Sequence, residues 1–180
     1  MGRHDSIPRK IKSPEPSLLF IGTLYADPGT FNHSKEILEK NFGDILHTSP
    51  SIPWDYSSYY KDELGWPLFR QFIFFENLID PGILADIKSK TNEIEDALSS
   101  EDKRRINLDP GYLTLSKIVL ASTKNYAHRI YLGKGIYGEV TLIYKDGTYN
   151  PHLYTYRDYQ DKTSIDIFMN ARALLKKMLG

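Results

Sequence analysis

The sequence predicts an α+β fold: one domain with a mainly antiparallel or mixed sheet and three or four packed helices. Three observations predict it. Apolar and aromatic runs such as residues 18–25 and 68–78 alternate with stretches whose apolar residues recur at helical spacing. Residues 127–132 and 139–144 are strand-like and joined by a short glycine loop, so they form a hairpin, which a wholly parallel sheet cannot contain. The 180 residues are 41% hydrophobic and 26% charged, enough apolar matter to bury one core.

Each element follows in order. Residues 1–17 carry Pro8, Pro14 and Pro16 with little apolar content and read as a flexible N-terminal tail before a single domain over 18–180. Residues 18–25 are a buried strand. Asp27-Pro-Gly-Thr30 reads as a turn, and Asn32 as the cap of a helix whose stripe is Ile37, Leu38 and Phe42. Gly43 stands where that helix would end. Residues 44–53 read as an irregular strand and 54–66 as an aromatic loop with Tyr56, Tyr59 and Tyr60. The third strand, 68–78, holds Phe69, Phe72, Phe74 and Phe75. Asp80-Pro81 opens a helix that turns Ile83, Ile87, Ile94 and Leu98 inward.

Residues 105–108 suit a short strand and Asp109-Pro-Gly-Tyr112 a turn. For 113–121 the spacing of Leu115, Ile118 and Val119 favours a helix, although Ile118-Val-Leu120 would also suit a strand. The hairpin follows, then a turn at Asp146-Gly147. Thr163 caps a last helix with Ile165, Phe168, Met169, Leu175 and Leu179 inside. Within the hairpin, pairing Leu132 with Gly138 puts His128, Ile130, Leu132, Val140 and Leu142 on the inner face. Arg129, Tyr131, Glu139 and Thr141 then share the outer face, with Arg129 and Glu139 as a surface ion pair or flanking a ligand.

The composition excludes several function classes. No apolar run reaches 18 residues, so no membrane span is expected. The first residues lack the apolar stretch of a signal peptide, and cysteine is absent, so a cytoplasmic home without disulfides or thiolate chemistry is expected. The five histidines have no metal spacing, so no metal site is read, though Asp109 and Glu139 could converge on a hard cation. No catalytic motif and no cofactor signature appear, and whether the chain is an enzyme stays open.

The most informative stretch is basic. From Lys103 to Gly138, Lys103, Arg104, Arg105, Lys117, Lys124, Arg129 and Lys134 stand against one acid, Asp109. Gly133, Gly135 and Gly138 match Gly-x-Gly-x-x-Gly, but a strand rather than a helix follows, which removes the dinucleotide site. The kinase catalytic motifs and the P-loop pattern are absent as well. The leading expectation is a small anionic ligand, phosphorylated or nucleotide-like. Lys117, Lys124, Arg129 and Lys134 would supply charge, Asp109 and Glu139 orientation, and Tyr112 a stacking or hydrogen-bonding surface. The alternative is a non-catalytic homo-oligomer or partner-binding module that uses the tyrosine-rich segments 56–66 and 149–159. A net charge of +0 argues against nucleic acid.

A set of short stretches also carries a family signature: Thr91-Asn-Glu93, Asn107-Leu-Asp-Pro-Gly-Tyr112, Ser116-Lys117, Val119-Leu-Ala-Ser-Thr-Lys-Asn125, His128-Arg-Ile-Tyr-Leu132, Gly135-Ile-Tyr137, Glu139-Val-Thr-Leu142 and Thr155-Tyr-Arg-Asp-Tyr159. Together they resemble the domain of unknown function 4416 family of bacterial proteins, over residues 16–178. The resemblance implies no established activity. The GTP-binding label that some members carry finds no P-loop and no Asn-Lys-x-Asp motif here. It does imply that Asn107, Asp109, Tyr112, Lys117, Lys124, His128, Arg129 and Glu139 are the family's motif polar residues.

Overall fold

Leu18–Tyr25 forms strand β1, and all eight of its residues are buried. A strand covered on both faces reads as one continuous apolar run rather than an alternation. The computed structural model describes residues 10–180 and puts β1 near the middle of an antiparallel sheet. The other strands are β2 (Ile45–Thr48), β3 (Ile52–Trp54), β4 (Leu68–Phe75), β5 (Ile106–Leu113), β6 (Lys117–Ser122), β7 (Ile130–Gly133), β8 (Ile136–Lys145) and β9 (Thr148–Asn150). Their spatial order is β2-β4-β1-β5-β6-β8-β7, with β3 added to β4 and β9 to β8.

Helices cover both faces. Helix α1 (Pro28–Phe42) and α3 (Leu84–Ala97) pack Phe31, Leu38, Ile87 and Ile94 on Leu19, Ile21, Ile73 and Phe75. Helix α5 (Lys162–Leu179) packs Phe168, Ala171 and Leu175 on Leu18, Phe20, Phe72 and Phe74 of the opposite face. Phe168 meets Phe20 and Phe72 edge-on, with centroids 5.1 and 4.8 Å away. Two four-residue helices, α2 (Lys61–Leu64) and α4 (Arg157–Gln160), lie in the connections. Among the described residues no helix is long and apolar enough to cross a membrane.

Several boundaries differ from the sequence reading. Residues 1–9 of the expected tail lie outside the described residues, while 10–16 are exposed and Ser17 already bridges to Ile79. Asp27, not Asn32, caps α1: its carboxylate accepts the Gly29 and Thr30 N–H groups and Pro28 opens the helix. Gly43 ends α1 with φ at +93°, as expected of a glycine there. The strand expected over 44–53 is split into β2 and β3. Asp161 rather than Thr163 precedes α5, and its side chain makes no cap bond.

The larger corrections lie at β5 and β6. Residues 113–121 are not helical. Ile118, Val119, Leu120 and Ala121 are all buried, so burial between two helix layers decides for β6 over helical spacing. Asp109-Pro-Gly-Tyr112 is not a turn but the heart of β5. Pro110 is tolerated there because of where its nitrogen points. The Leu108 N–H donates to Glu95 at 2.6 Å and its carbonyl accepts from Lys88 at 3.2 Å, so both groups face away from β1. Two residues on, the Pro110 nitrogen faces the same way. The ladder to β6 covers only Gly111–Leu113, so no strand bond is lost there.

The hairpin is inside out relative to the sequence reading. Its register is Ile130 opposite Gly138, not Val140, and Ile130, Leu132 and Val140 are exposed. Arg129, Glu139 and Thr141 are buried instead. A register shift between β6 and β8 then turns Leu142 to the interior opposite Ile118, on the same face as Glu139.

A Cβ added to Gly111 would stand 2.5 Å from the Val119 carbonyl oxygen and 2.6 Å from the Phe20 ring. Gly111→Ala is expected to lower the unfolding free energy by about 1–3 kcal/mol, read as a lower urea midpoint; an unchanged midpoint would show that β5 and β6 separate freely at this point.

Candidate functional site

The polar site grows out of one arginine in an apolar strand. Arg70 faces Leu24 across the β4–β1 ladder, and Asp109 faces Gly22 across the β1–β5 ladder. Arg70 reaches over β1 to Asp109, Nη1 to Oδ2 at 3.2 Å. Gly22 leaves the room: a Cβ there would lie 3.3 Å from Arg70 Nη1 and 3.0 Å from the Tyr159 hydroxyl. Helix α4 brings Asp158 to the other side of the guanidinium, whose Nε and Nη2 lie 3.1 and 3.0 Å from Oδ2. Trp54 donates its Nε1 hydrogen to the same oxygen at 3.1 Å. Burial works against the charge of Arg70, but Asp158 and Asp109 outweigh it and hold the group above its ordinary value.

The chain of bonds continues away from Asp109. Asn107 donates to Asp109 Oδ2 at 2.7 Å and accepts from Arg104 at 2.8 Å. Arg104 forks onto both oxygens of Glu63 at 2.6 and 2.8 Å and reaches Glu95 at 3.2 Å. The bond from Arg104 lowers the Glu63 carboxyl below its ordinary value, and burial raises that of Glu95. One hydroxyl stays outside the chain. Tyr159 is fully packed, and its Oη is a buried polar atom with no partner. Burial raises its pKa, so it is a neutral donor. Tyr60 is likewise pushed up to about 12 by burial.

A second cluster sits at the hairpin. Arg129 Nε donates to Glu139 at 3.0 Å, and its other nitrogens reach Ser122, the Lys124 carbonyl and the Tyr156 hydroxyl at 2.9, 3.0 and 2.7 Å. His128 bonds the same Glu139 oxygen and stacks on Tyr154. Arg129 and Glu139 do pair, but in the interior.

Two adjoining clefts open where β5 and β6 part. The first, of about 300 Å³, has aromatic walls from Trp54, Tyr56, Tyr59, Tyr60, Tyr156 and Tyr159, with Arg70, Asp109 and Asp158 on its floor. Lys124, Glu139 and Arg157 also line it. The second, of about 380 Å³, is polar and reaches α3 through Lys88, Asn92, Glu95 and Asp96. Tyr59, Tyr60, Asp109, Ala121, Ser122 and Lys124 line both.

Of the residues singled out in the sequence, Asp109, Lys124 and Glu139 line the first cleft, and Arg129 braces it from behind. Three do not converge. Tyr112 packs on the α3 side with Leu84, Ala85 and Val119, because side chains alternate along β5 and Asp109 takes the other face. Lys117 pairs with Ile143 at the far end of β6. Lys134 is at the exposed hairpin tip, where it bonds Asp86. The sequence reading gave Arg70, Asp158 and Lys88 no site role and Tyr159 only a place in a tyrosine-rich partner surface, although Asp158 and Tyr159 fall in the family signature. Arg70 left a signal, a charge inside Leu-Phe-Arg-Gln-Phe-Ile-Phe-Phe75, where an apolar residue would be expected. Asp109 and Glu139 share a cleft, but among the described residues no three His, Cys, Asp or Glu are grouped to hold a metal ion.

A family model described as a domain of unknown function (DUF4416) matches residues 15–174. The chain belongs to this family. The DUF4416 match begins before β1, ends within α5 and contains every residue of both clefts. No curated protein and no solved structure gives a match.

Arg70→Met leaves two carboxylates without their cation. It is expected to cost about 3–5 kcal/mol in chemical denaturation, and Asp158→Asn added to it should recover part of the loss; a loss within experimental error would show that the bridge is not a determinant of stability. For Glu63 the folded-state pKa is lowered, so its stabilisation is present above the ordinary value of 4.5 and is lost as pH falls through the lowered one. Glu63→Gln should therefore be less stable than wild type at neutral pH, with the gap closing as pH drops below 4.5 toward the lowered value. A gap independent of pH would deny the Arg104 pairing this role.

Proposed function

We propose that this protein binds a small, ring-bearing anionic ligand, phosphorylated or nucleotide-like, in the aromatic cleft. The observation that carries this reading is the Tyr159 hydroxyl. It is a buried hydroxyl without a partner, on a residue that lines the cleft beside the bonded group Arg70, Asp109 and Asp158. A buried donor left alone costs about 1–3 kcal/mol, which a ligand acceptor would offset. The tyrosine walls supply faces for a ring, each good aromatic contact contributing about 0.5–1.5 kcal/mol beyond area.

The charges divide in a way that supports an anion. Arg70 and Arg129 are committed to carboxylates within the protein. Lys124 and Arg157 line the same cleft and make no ion pair among the described residues. Lys124 instead holds its ammonium 5.5 Å from the Tyr59 ring centroid. The ring would lie among the tyrosines, and the anionic group would meet Lys124 and Arg157 at the rim. No bond-making step is assigned to these groups.

Self-association is a second reading, favoured by one observation. On the edge hairpin, Ile130 is 73% and Leu132 44% exposed. Of the expected tyrosine surfaces, Tyr149 is core and Tyr159 is buried, while Tyr59, Tyr154 and Tyr156 stay exposed.

A thermal-shift screen with nucleotides and phosphosugars should raise the melting temperature by several degrees for at least one compound, and Lys124→Ala and Tyr159→Phe should each reduce that shift. No shift across the screen overturns the ligand reading. Light scattering tests the second: concentration-dependent dimers abolished by Ile130→Lys support it, and a monomer at all concentrations rejects it.

A further inference from the structure

The polar cleft contains a buried lysine whose ammonium has donors left over after its one backbone bond. Lys88 stands on the inward side of α3 and is 7% exposed. Its ammonium donates to the Leu108 carbonyl at 3.2 Å and makes no ion pair among the described residues. An ammonium has three donors, of which the Leu108 carbonyl takes one, and the buried Glu95 carboxylate offsets part of its charge without a direct ion pair. The acids around it make their hydrogen bonds to other groups. Glu95 accepts from the Leu108 N–H and from Arg104, and Asp109 accepts from Arg70 and Asn107. Asp96 is exposed on the cleft wall, where solvent screens it.

We propose that the polar cleft is an anion subsite anchored by Lys88, and that it takes the phosphoryl group of the ligand whose ring occupies the aromatic cleft. This rests on the ring-binding reading given under Proposed function. The two clefts share Lys124, Ser122 and Asp109, so one ligand can run from one into the other. Lys124 stands at the junction and supplies the second cation. Ser122, Thr123 and Asn92 add neutral donors on the walls. A volume of about 380 Å³ admits a phosphoryl or pyrophosphoryl group with its water. Lys88 binds as a point charge, through charge-assisted hydrogen bonds to phosphoryl oxygens.

Calorimetry with nucleoside 5′-monophosphates, their parent nucleosides and inorganic pyrophosphate tests this. A monophosphate should bind wild-type protein at least about tenfold more tightly than its nucleoside. Lys88→Met should abolish that advantage and leave the nucleoside affinity unchanged. Because Lys88 is buried, Thr123→Asp is the companion variant: it adds a carboxylate at the exposed wall without touching the core, and the same loss is expected. Equal affinity for nucleoside and monophosphate, or an advantage undiminished in both variants, overturns the proposal. Should neither nucleosides nor monophosphates bind, the ring reading falls, and pyrophosphate alone decides the subsite. Pyrophosphate binding that both variants lose upholds it, and no pyrophosphate binding overturns it.

Discussion

The guanidinium of Arg70 is the point on which the site depends. It is buried on β4, bridges β1 to reach Asp109 on β5, and holds Asp158 on α4. Two consequences follow from that one cation. The residues at position 22 and at the floor of the cleft must stay small or planar, because the side chain crosses over Gly22. The segment after β9 must also come back over the sheet, because a buried cation of this kind is tolerated only with its carboxylates in place. Helix α4 and the aromatic wall of Tyr156 and Tyr159 are carried in with Asp158.

The cleft itself comes from a parting of strands. β5 and β6 pair only over Gly111–Leu113, and upstream of Pro110 the free edge of β5 is met by side chains from α3. A strand edge left unpaired in the interior would carry orphan backbone groups. Glu95 and Lys88 satisfy those of Leu108, so the gap stays open without a backbone penalty. This explains why two charged residues lie buried on an amphipathic helix, and why the opening is polar on the α3 side and aromatic on the other.

Much of the fold was legible. The apolar runs at 18–25 and 68–78, the second of which forms a strand only to Phe75, the cap residues Asp80 and Gly43, and the turn at Asp146-Gly147 each report a local preference that the tertiary structure did not override. The differences share a cause. Local turn and helix preferences point to a turn at 109–112 and a helix over 113–121, but both segments lie between two helix layers, where burial and edge pairing outweigh propensity. The hairpin was turned over because apolar side chains were assigned to the inside. Its buried face is Arg129, Glu139 and Thr141, which satisfy one another and nearby groups, and its apolar residues face out.

By itself the sequence determined the α+β class, most strand and helix positions and the family signature, since these rest on periodicity and short motifs. It also put Asp109, Lys124, Arg129 and Glu139 forward as candidates within one stretch of chain, which says nothing of whether they meet in space. Only the tertiary structure decided that Tyr112, Lys117 and Lys134 stand apart from them, and that Arg70, Lys88, Asp158 and Tyr159 join them. The reason is geometric. A strand sends neighbouring residues to opposite faces and carries its two ends far apart, so closeness in sequence within 103–138 does not become closeness in space. Conversely Arg70 and Asp158, 88 positions apart, meet because β4 and α4 flank the same strand.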